Sequence, residues 1–335
     1  MSTHVENMDN VVHTLRDDLK QAEIRVAALG KTVAENEAII TQANSTAVSR
    51  LASNVSREFT DDMIREALKK FFQTEFFSWC ADVCADRIEQ ENAALHMLLD
   101  AGIINASRNY LNGPEYLRFK VNTPDGSGLL ALLQAALGTR LCDLYLNDAY
   151  FLAQELPMNR DGRWMLSQFE QHLSHTQLDA ATDWRVGIVQ CLDKAVPITD
   201  HYVLREVDRF VEQYRFLLSN DQFDNEARKD LIRIFADFAS LALKIWKSRA
   251  NVQWCGMRGF DRVCFDLGNP SVEVDSSLAS TMGQRLNGRP IGLIIRPAIW
   301  SNSLSKNGTV KQVLWLKALA WVSGEEDLMD SMALI

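Results

Sequence analysis

The chain has 335 residues, of which 47% are hydrophobic and 24% are charged, and its formal net charge is −9. This composition is typical of a globular protein with one large domain or two smaller ones. The acidic balance argues against broad binding to nucleic acids or anionic membranes, because both need a positively charged surface. We therefore expect neither a nucleic-acid partner nor a membrane partner.

The sequence also predicts a compartment. Its first residues lack the positive and apolar segments of a secretory signal, and no run approaches the roughly 18 apolar residues of a membrane span. The six cysteines are dispersed between Cys80 and Cys264. Without a signal peptide they are expected to be reduced, mostly buried thiols in a cytoplasmic protein.

The first domain, residues 1–50, carries a seven-residue repeat of apolar side chains. With Val12 as position a, the a positions are Val5, Val12, Leu19, Val26, Val33 and Ile40, and the d positions are Met8, Leu15, Ala22, Leu29, Asn36 and Ala43. Such a repeat keeps one seam facing a partner helix in a left-handed supercoil. About six heptads exceed the three or four that make the pattern informative. We predict a long coiled-coil helix.

The charges beside this seam leave its partner open. In a parallel homodimer Asp18 at position g would face Glu23 at position e of the second chain, which is a like-charge pair. Gly30 in the helix interior also lowers the stability of the predicted helix by about 1 kcal/mol relative to alanine. The seam can therefore pair with an antiparallel copy, with a different protein, or with the body of its own chain.

Residues 51–250 predict a helical bundle. Thr60 is a good N-cap for its first helix, and the inward positions of that helix are three or four residues apart: Ile64, Leu68, Phe72, Phe76, Trp79 and Val83, with Phe71 and Phe77 widening the stripe. Further helices are predicted from Ile88 toward Asn105, from Ser127 toward Gln154, and over residues 163–175, 182–195, 199–218 and 224–247. The helix from Ser127 has so many leucines that burial on most sides is expected. A loop over 112–126 could hold a short strand at 116–121.

Residues 251–335 predict a small β-rich element packed on the bundle. Two strands are expected over residues 291–299 and 310–322, joined by a loop that contains Asn307-Gly308. Periodicity alone leaves a buried helix possible for 310–322. The predicted fold is therefore mainly α, with an N-terminal coiled-coil helix, a multi-helix body and a C-terminal β-rich element.

No catalytic or cofactor-binding motif stands out, and we expect no cofactor. Cys80 and Cys84 lie one helical turn apart without a matching pair of ligands, so they are interpreted as core residues. His172, His175, Asp179 and Asp183 would share one face of a continuous helix, at spacings that can bind a metal ion. A solvent-facing stripe is the preferred interpretation, and a metal-dependent hydrolase that uses the His172 cluster is the alternative function.

Several short motifs resemble those of a known group of proteins: Phe71-Phe72, Phe76-Phe77-Ser78-Trp79-Cys80, Leu141-Cys142 leading to Phe151-Leu152, Arg289-Pro290-Ile291 and Arg296-Pro297. Through them the chain resembles a group of uncharacterised proteins from filamentous fungi. The resemblance implies an N-terminal coiled coil joined to a helical body, and it carries no assigned activity.

The leading hypothesis is a non-enzymatic intracellular interaction or scaffold protein. It would associate with itself or with a protein partner through the heptad helix. A third class, a small-molecule sensor with a cavity in the bundle, has no supporting motif.

Overall fold

The computed structural model describes residues 19–23, 25–33, 59–88, 91–104, 127–156, 161–196, 198, 200–260, 263–274, 282–304 and 310–322. The chain divides into two units, residues 1–54 and 55–335. In the first unit, residues 19–23 and 25–33 are helical. The rest of the predicted coiled coil lies outside the described residues, and so do the loop over 112–126 and the loop that contains Asn307-Gly308.

The described part of the second unit is mainly helical, as predicted. Its α-helices are α1 (Asp61–Gln73), α2 (Glu75–Val83), α3 (Glu91–Asp100), α4 (Ser127–Tyr145), α5 (Asp161–Thr176), α6 (Leu178–Ala195), α7 (Asp200–Tyr214) and α8 (Asn225–Lys247). Within the described ranges, no helix combines the length and the apolar content needed to cross a bilayer.

The first predicted helix is present but is divided in two. The Thr60 side chain accepts a hydrogen bond from the Met63 amide at 3.4 Å, which confirms the N-cap. All six predicted inward residues are buried, but Phe77 is 49% exposed, so its assignment to the stripe was wrong. The helix breaks at Thr74, whose backbone has φ −111° and ψ −104°. The Thr74 hydroxyl also donates to the Lys70 carbonyl at 2.8 Å, which closes the last turn of α1 locally.

Helix α4 lies at the centre of the second unit. Its leucines are buried around most of its circumference, as predicted, and it contacts α2, α7, α8 and strand β3 (Ile291–Arg296). The predicted extension toward Gln154 was wrong, because α4 ends at Tyr145. The Asp148 carboxylate accepts a hydrogen bond from the Tyr150 amide at 2.7 Å, so a turn replaces the next helical turn. A short 3-10 helix, Phe151–Glu155, follows.

Helix α8 connects several of the other helices. Its N-cap Asp224 accepts a hydrogen bond from the Ala227 amide at 2.9 Å. The Trp79 indole in α2 donates to the Ala227 carbonyl at 2.8 Å, and the Trp246 indole in α8 donates to the Tyr145 carbonyl of α4 at 2.7 Å. Both tryptophans therefore satisfy their polar atom while burying their rings.

The described strands of the C-terminal region form two three-stranded sheets. The strands are β1 (Asn251–Cys255), β2 (Val272–Val274), β3 (Ile291–Arg296), β4 (Ala298–Leu304), β5 (Val310–Leu316) and β6 (Ala318–Val322). One sheet is antiparallel with the order β1-β4-β5; in the other, of order β2-β6-β3, β2 is parallel and β3 antiparallel to β6.

Both predicted strands are confirmed, and residues 310–322 are strand rather than helix. Each is divided in two, at Pro297 and at Lys317, and its halves belong to different sheets. Proline has no amide hydrogen, so Pro297 interrupts the ladder where the chain changes sheets. The Trp315 indole donates to the Asp61 carboxylate at 2.9 Å, which joins β5 to α1.

The cysteines are free thiols, but the expectation that most are buried was wrong. Cys80 and Cys142 are buried, Cys84 and Cys255 are half-buried, and Cys191 and Cys264 are exposed. Burial raises the pKa of the Cys80 and Cys142 thiols well above the ordinary value, and it raises the pKa of Cys84 to about 12. These three thiols therefore stay protonated and unreactive near neutral pH.

The N-cap hydrogen bond of α8 can be tested directly by substitution of Asp224. We expect Asp224→Ala to lower the free energy of unfolding by about 1 kcal/mol, because the Ala227 amide loses its acceptor. Chemical denaturation measures the change, and Asp224→Asn, which keeps an acceptor oxygen, is the control. Equal stability of the alanine variant and the wild type would contradict the capping role.

Candidate functional site

The candidate association surface is an apolar stripe on the helical residues described in the first unit, 19–23 and 25–33. Leu19, Val26 and Val33 occupy position a, Leu29 occupies position d, and their side chains are between 55% and 68% exposed. Isolated exposed apolar residues are common on proteins, but four large ones in heptad register form a continuous apolar strip. A strip of this kind is the surface that a partner helix covers in a coiled coil.

Charged side chains border this stripe on both edges. Glu23 at position e and Arg25 at position g are exposed and have opposite charges. Side chains at e and g meet their counterparts on the partner helix, so their signs influence which helix pairs and in which direction. The stripe therefore combines an apolar centre with a charged border.

The four predicted metal ligands do not share one helix. Helix α5 ends at Thr176 and α6 begins at Leu178, with Gln177 between them at φ −149° and ψ 86°. His172 and His175 are exposed on α5, whereas Asp179 and Asp183 lie on α6. The four side chains could share one face only on a continuous helix, and the chain has a break at Gln177.

The two aspartates already have a cationic neighbour. Arg249 forms an ion pair with Asp183, and its second nitrogen lies 3.6 Å from an Asp179 oxygen. Among the residues that the structure describes, no group of three or more His, Cys, Asp or Glu side chains could hold a metal ion. The hydrolase hypothesis stays a prediction and gains no geometric support.

The structure reveals a buried charge cluster that the sequence patterns did not indicate. The Glu206 side chain in α7 is only 1% exposed and accepts from three arginines: from Arg140 and Arg209 at 2.8 Å and from Arg205 at 3.3 Å. Arg205 also pairs with Glu155 at 2.8 Å. These contacts join α4, α7 and the 3-10 helix. A buried carboxylate needs such partners, because an isolated charge in the interior is very costly.

A second buried arginine lies between α5, α6 and the start of β1. Arg185 is 4% exposed and donates to the Glu170 carboxylate at 3.2 Å and to the Ala250 carbonyl at 3.0 Å. The Tyr150 hydroxyl donates to the other Glu170 oxygen at 2.9 Å. Burial, together with the Glu170 charge, raises the pKa of Tyr150 well above its ordinary value. The sequence analysis did not single out any of these three residues, because their contacts join different elements.

Comparisons of the chain with protein-family models, with curated proteins and with solved structures give no match. The resemblance to the fungal group and the expected cytoplasmic location therefore stay predictions.

The Glu206 cluster gives a prediction about stability. We expect Glu206→Ala to lower the free energy of unfolding by about 3 kcal/mol, because breaking a buried ion pair leaves its partners uncompensated. This is the low end of the usual range, since the arginines reach solvent at their edges.

The matched control for this variant is Glu226→Ala, which removes the exposed ion pair between Glu226 and Lys229. Its effect should stay within about 0.5 kcal/mol, as for other surface pairs. If both variants changed the unfolding midpoint in urea equally, Glu206 would have no special structural role.

Proposed function

We propose that this chain is a non-enzymatic interaction protein that associates with a second copy of itself through the heptad helix. The observation that carries the proposal is the exposure of Leu19, Val26, Leu29 and Val33 in heptad register. Burying a large apolar side chain stabilises an assembly by roughly 1.5–3 kcal/mol. Four such side chains on each of two helices supply a substantial driving force for pairing.

The heptad charges support an antiparallel arrangement of the two copies. With the symmetry axis between Lys20 and Gln21, Leu19 lies opposite Ala22 of the second copy. At the edges, Glu23 then lies beside Arg16, and Arg25 lies beside Asp18. Symmetry repeats each of these opposite-charge pairs. Arg16 and Asp18 lie outside the described residues, so their part in the argument rests on their heptad positions.

Other arrangements bring like charges together. In the parallel pair, Asp18 faces Glu23 of the second copy. Moving the antiparallel register by one heptad toward the C-terminus places Glu23 beside Glu23 of the second copy, and Arg25 beside Arg25 of the second copy. Moving it one heptad the other way places Arg16 beside Arg16 and Asp18 beside Asp18. Because charges at e and g select orientation and register, the arrangement centred at Lys20 and Gln21 is favoured.

Charges placed in the stripe should disrupt the association. We expect the double variant Val26→Asp and Leu29→Asp to have the monomer mass of 37.9 kDa, and the wild type to have twice that mass, when both are measured by light scattering. The reason is that carboxylates in a helix–helix interface lose hydration without a partner.

The control for this experiment changes the same helix on its other side. Ala27→Asp with Ala28→Asp adds the same charge at positions b and c, which lie away from the seam. This control should keep the assembled mass. A wild type that is monomeric, or a mass that the stripe variant leaves unchanged, would overturn the proposed self-association.

The orientation has a separate test. In the antiparallel pair Glu23→Arg sets arginine against Arg16, whereas in a parallel pair it would set arginine against Asp18. We expect the dissociation constant from sedimentation equilibrium to rise about tenfold, because attraction becomes repulsion at two symmetric positions. Adding Arg16→Glu should restore the wild-type value. Tighter association of Glu23→Arg would instead show a parallel pair and leave self-association intact.

A further inference from the structure

A pocket of about 440 Å³ lies beside β1, in the second unit. Its walls come from the turn over residues 146–150, from α5 and α6, from the end of α8, and from β1 and β4. Small-molecule sites in proteins are commonly between about 300 and 1,000 Å³ and lie where several elements meet. The size and the location therefore both suit a small ligand.

The floor of the pocket is polar and its charges are balanced. Arg185 is paired with Glu170, and Asp148 is paired with Arg163. The Arg185 guanidinium also lies 5.5 Å from the centre of the Trp246 ring, which positions it further. An anionic ligand would compete with Glu170 for Arg185, and a cationic ligand would compete with the arginines for the two carboxylates. The paired charges of the pocket floor therefore favour an uncharged ligand.

The wall beside β1 combines aromatic carbon with amide groups. Trp254 and Trp300 are half-buried, and their indole N–H groups donate to Asn147 at 2.6 Å and to Gln253 at 3.2 Å. Gln253 pairs with Trp300 across β1 and β4, so these two side chains share one face of the sheet, whereas Trp254 lies on the other face. Because each N–H group has a partner within the protein, each indole offers mainly carbon surface on its own face.

Three exposed amides, those of Asn147, Asn251 and Gln253, add neutral groups. The Asn147 amide also donates to Asp143 at 2.8 Å, and the Gln253 oxygen accepts from Asn302 at 2.9 Å as well as from Trp300, so Gln253 offers its N–H groups.

We infer that this pocket binds an uncharged sugar ring. A pyranose has an apolar C–H face that packs on an indole, and hydroxyls around its edge that both donate and accept hydrogen bonds. Asp148 and Glu170 offer acceptor oxygens to such hydroxyls. Gln253 offers its N–H groups, and Asn147 offers its second N–H and the second lone pair of its oxygen. A wholly apolar ligand fits less well, because it would bury the remaining N–H groups of these amides and the carboxylate oxygens without adding a hydrogen bond to them.

This inference is independent of the proposed self-association, because it uses only residues of the second unit. It is tested by isothermal titration calorimetry with D-glucose, D-mannose and N-acetyl-D-glucosamine as neutral probes. Glucosamine and glucose 6-phosphate are charged probes built on the same ring. We expect at least one neutral sugar to bind with a millimolar dissociation constant, and the two charged sugars to bind about tenfold more weakly.

Variants place the binding in this pocket. Gln253→Ala, at an exposed position, should weaken the binding of the neutral sugar about fivefold by removing its hydrogen-bonding amide. Trp300→Ala should weaken it at least tenfold. Trp164→Ala is the control, since Trp164 is an exposed tryptophan that does not line the pocket.

Three results would overturn the inference. The first is no heat with any neutral sugar, and the second is preferred binding of a charged sugar. The third is an unchanged affinity in Gln253→Ala, which remains decisive even if Trp300→Ala fails to fold.

Discussion

The need to cover apolar surface is the constraint on which the second unit depends, and α4 shows it most clearly. This helix has no continuous polar face, so it has to be surrounded. Helices α2, α7 and α8 and strand β3 contact it from different directions. The arrangement of these elements follows from that requirement more than from the preference of any one of them.

The second unit also buries charged groups, and the structure compensates them in clusters. Glu206 has three arginines around it, and Arg185 has a carboxylate, a backbone carbonyl and an indole ring. Such clusters contribute less net stability than their number of contacts suggests, because desolvation offsets much of the attraction. They do connect helices at defined positions. The Arg185 cluster also forms the floor of the pocket proposed to bind a sugar.

The sequence predicted the elements of the second unit better than their ends. The apolar spacing from Ile64 to Val83 and the N-cap Thr60 were sufficient for the first helix, but nothing in the spacing marked the break at Thr74. The end of α4 depended on a hydrogen bond from the Tyr150 amide to Asp148, which is a local competition that periodicity does not register.

The candidate sites also differ in how far the sequence predicts them. The apolar stripe could be predicted from the heptad repeat, because all its members belong to one local sequence pattern. The pairing of Arg185 with Glu170 could not be predicted, because two helices bring these residues together. The shared helical face of the His172 cluster was wrong for the opposite reason: its spacing assumed one helix where the chain has two.

The second unit covers its apolar surface internally, whereas the stripe in the first unit is proposed to pack against a second copy. Hydrogen exchange measured over a range of protein concentrations tests this distinction most directly. We expect amide exchange in residues 19–33 to slow as the concentration rises, while exchange in α4 stays constant. Exchange in residues 19–33 that is equally fast at every concentration would contradict it.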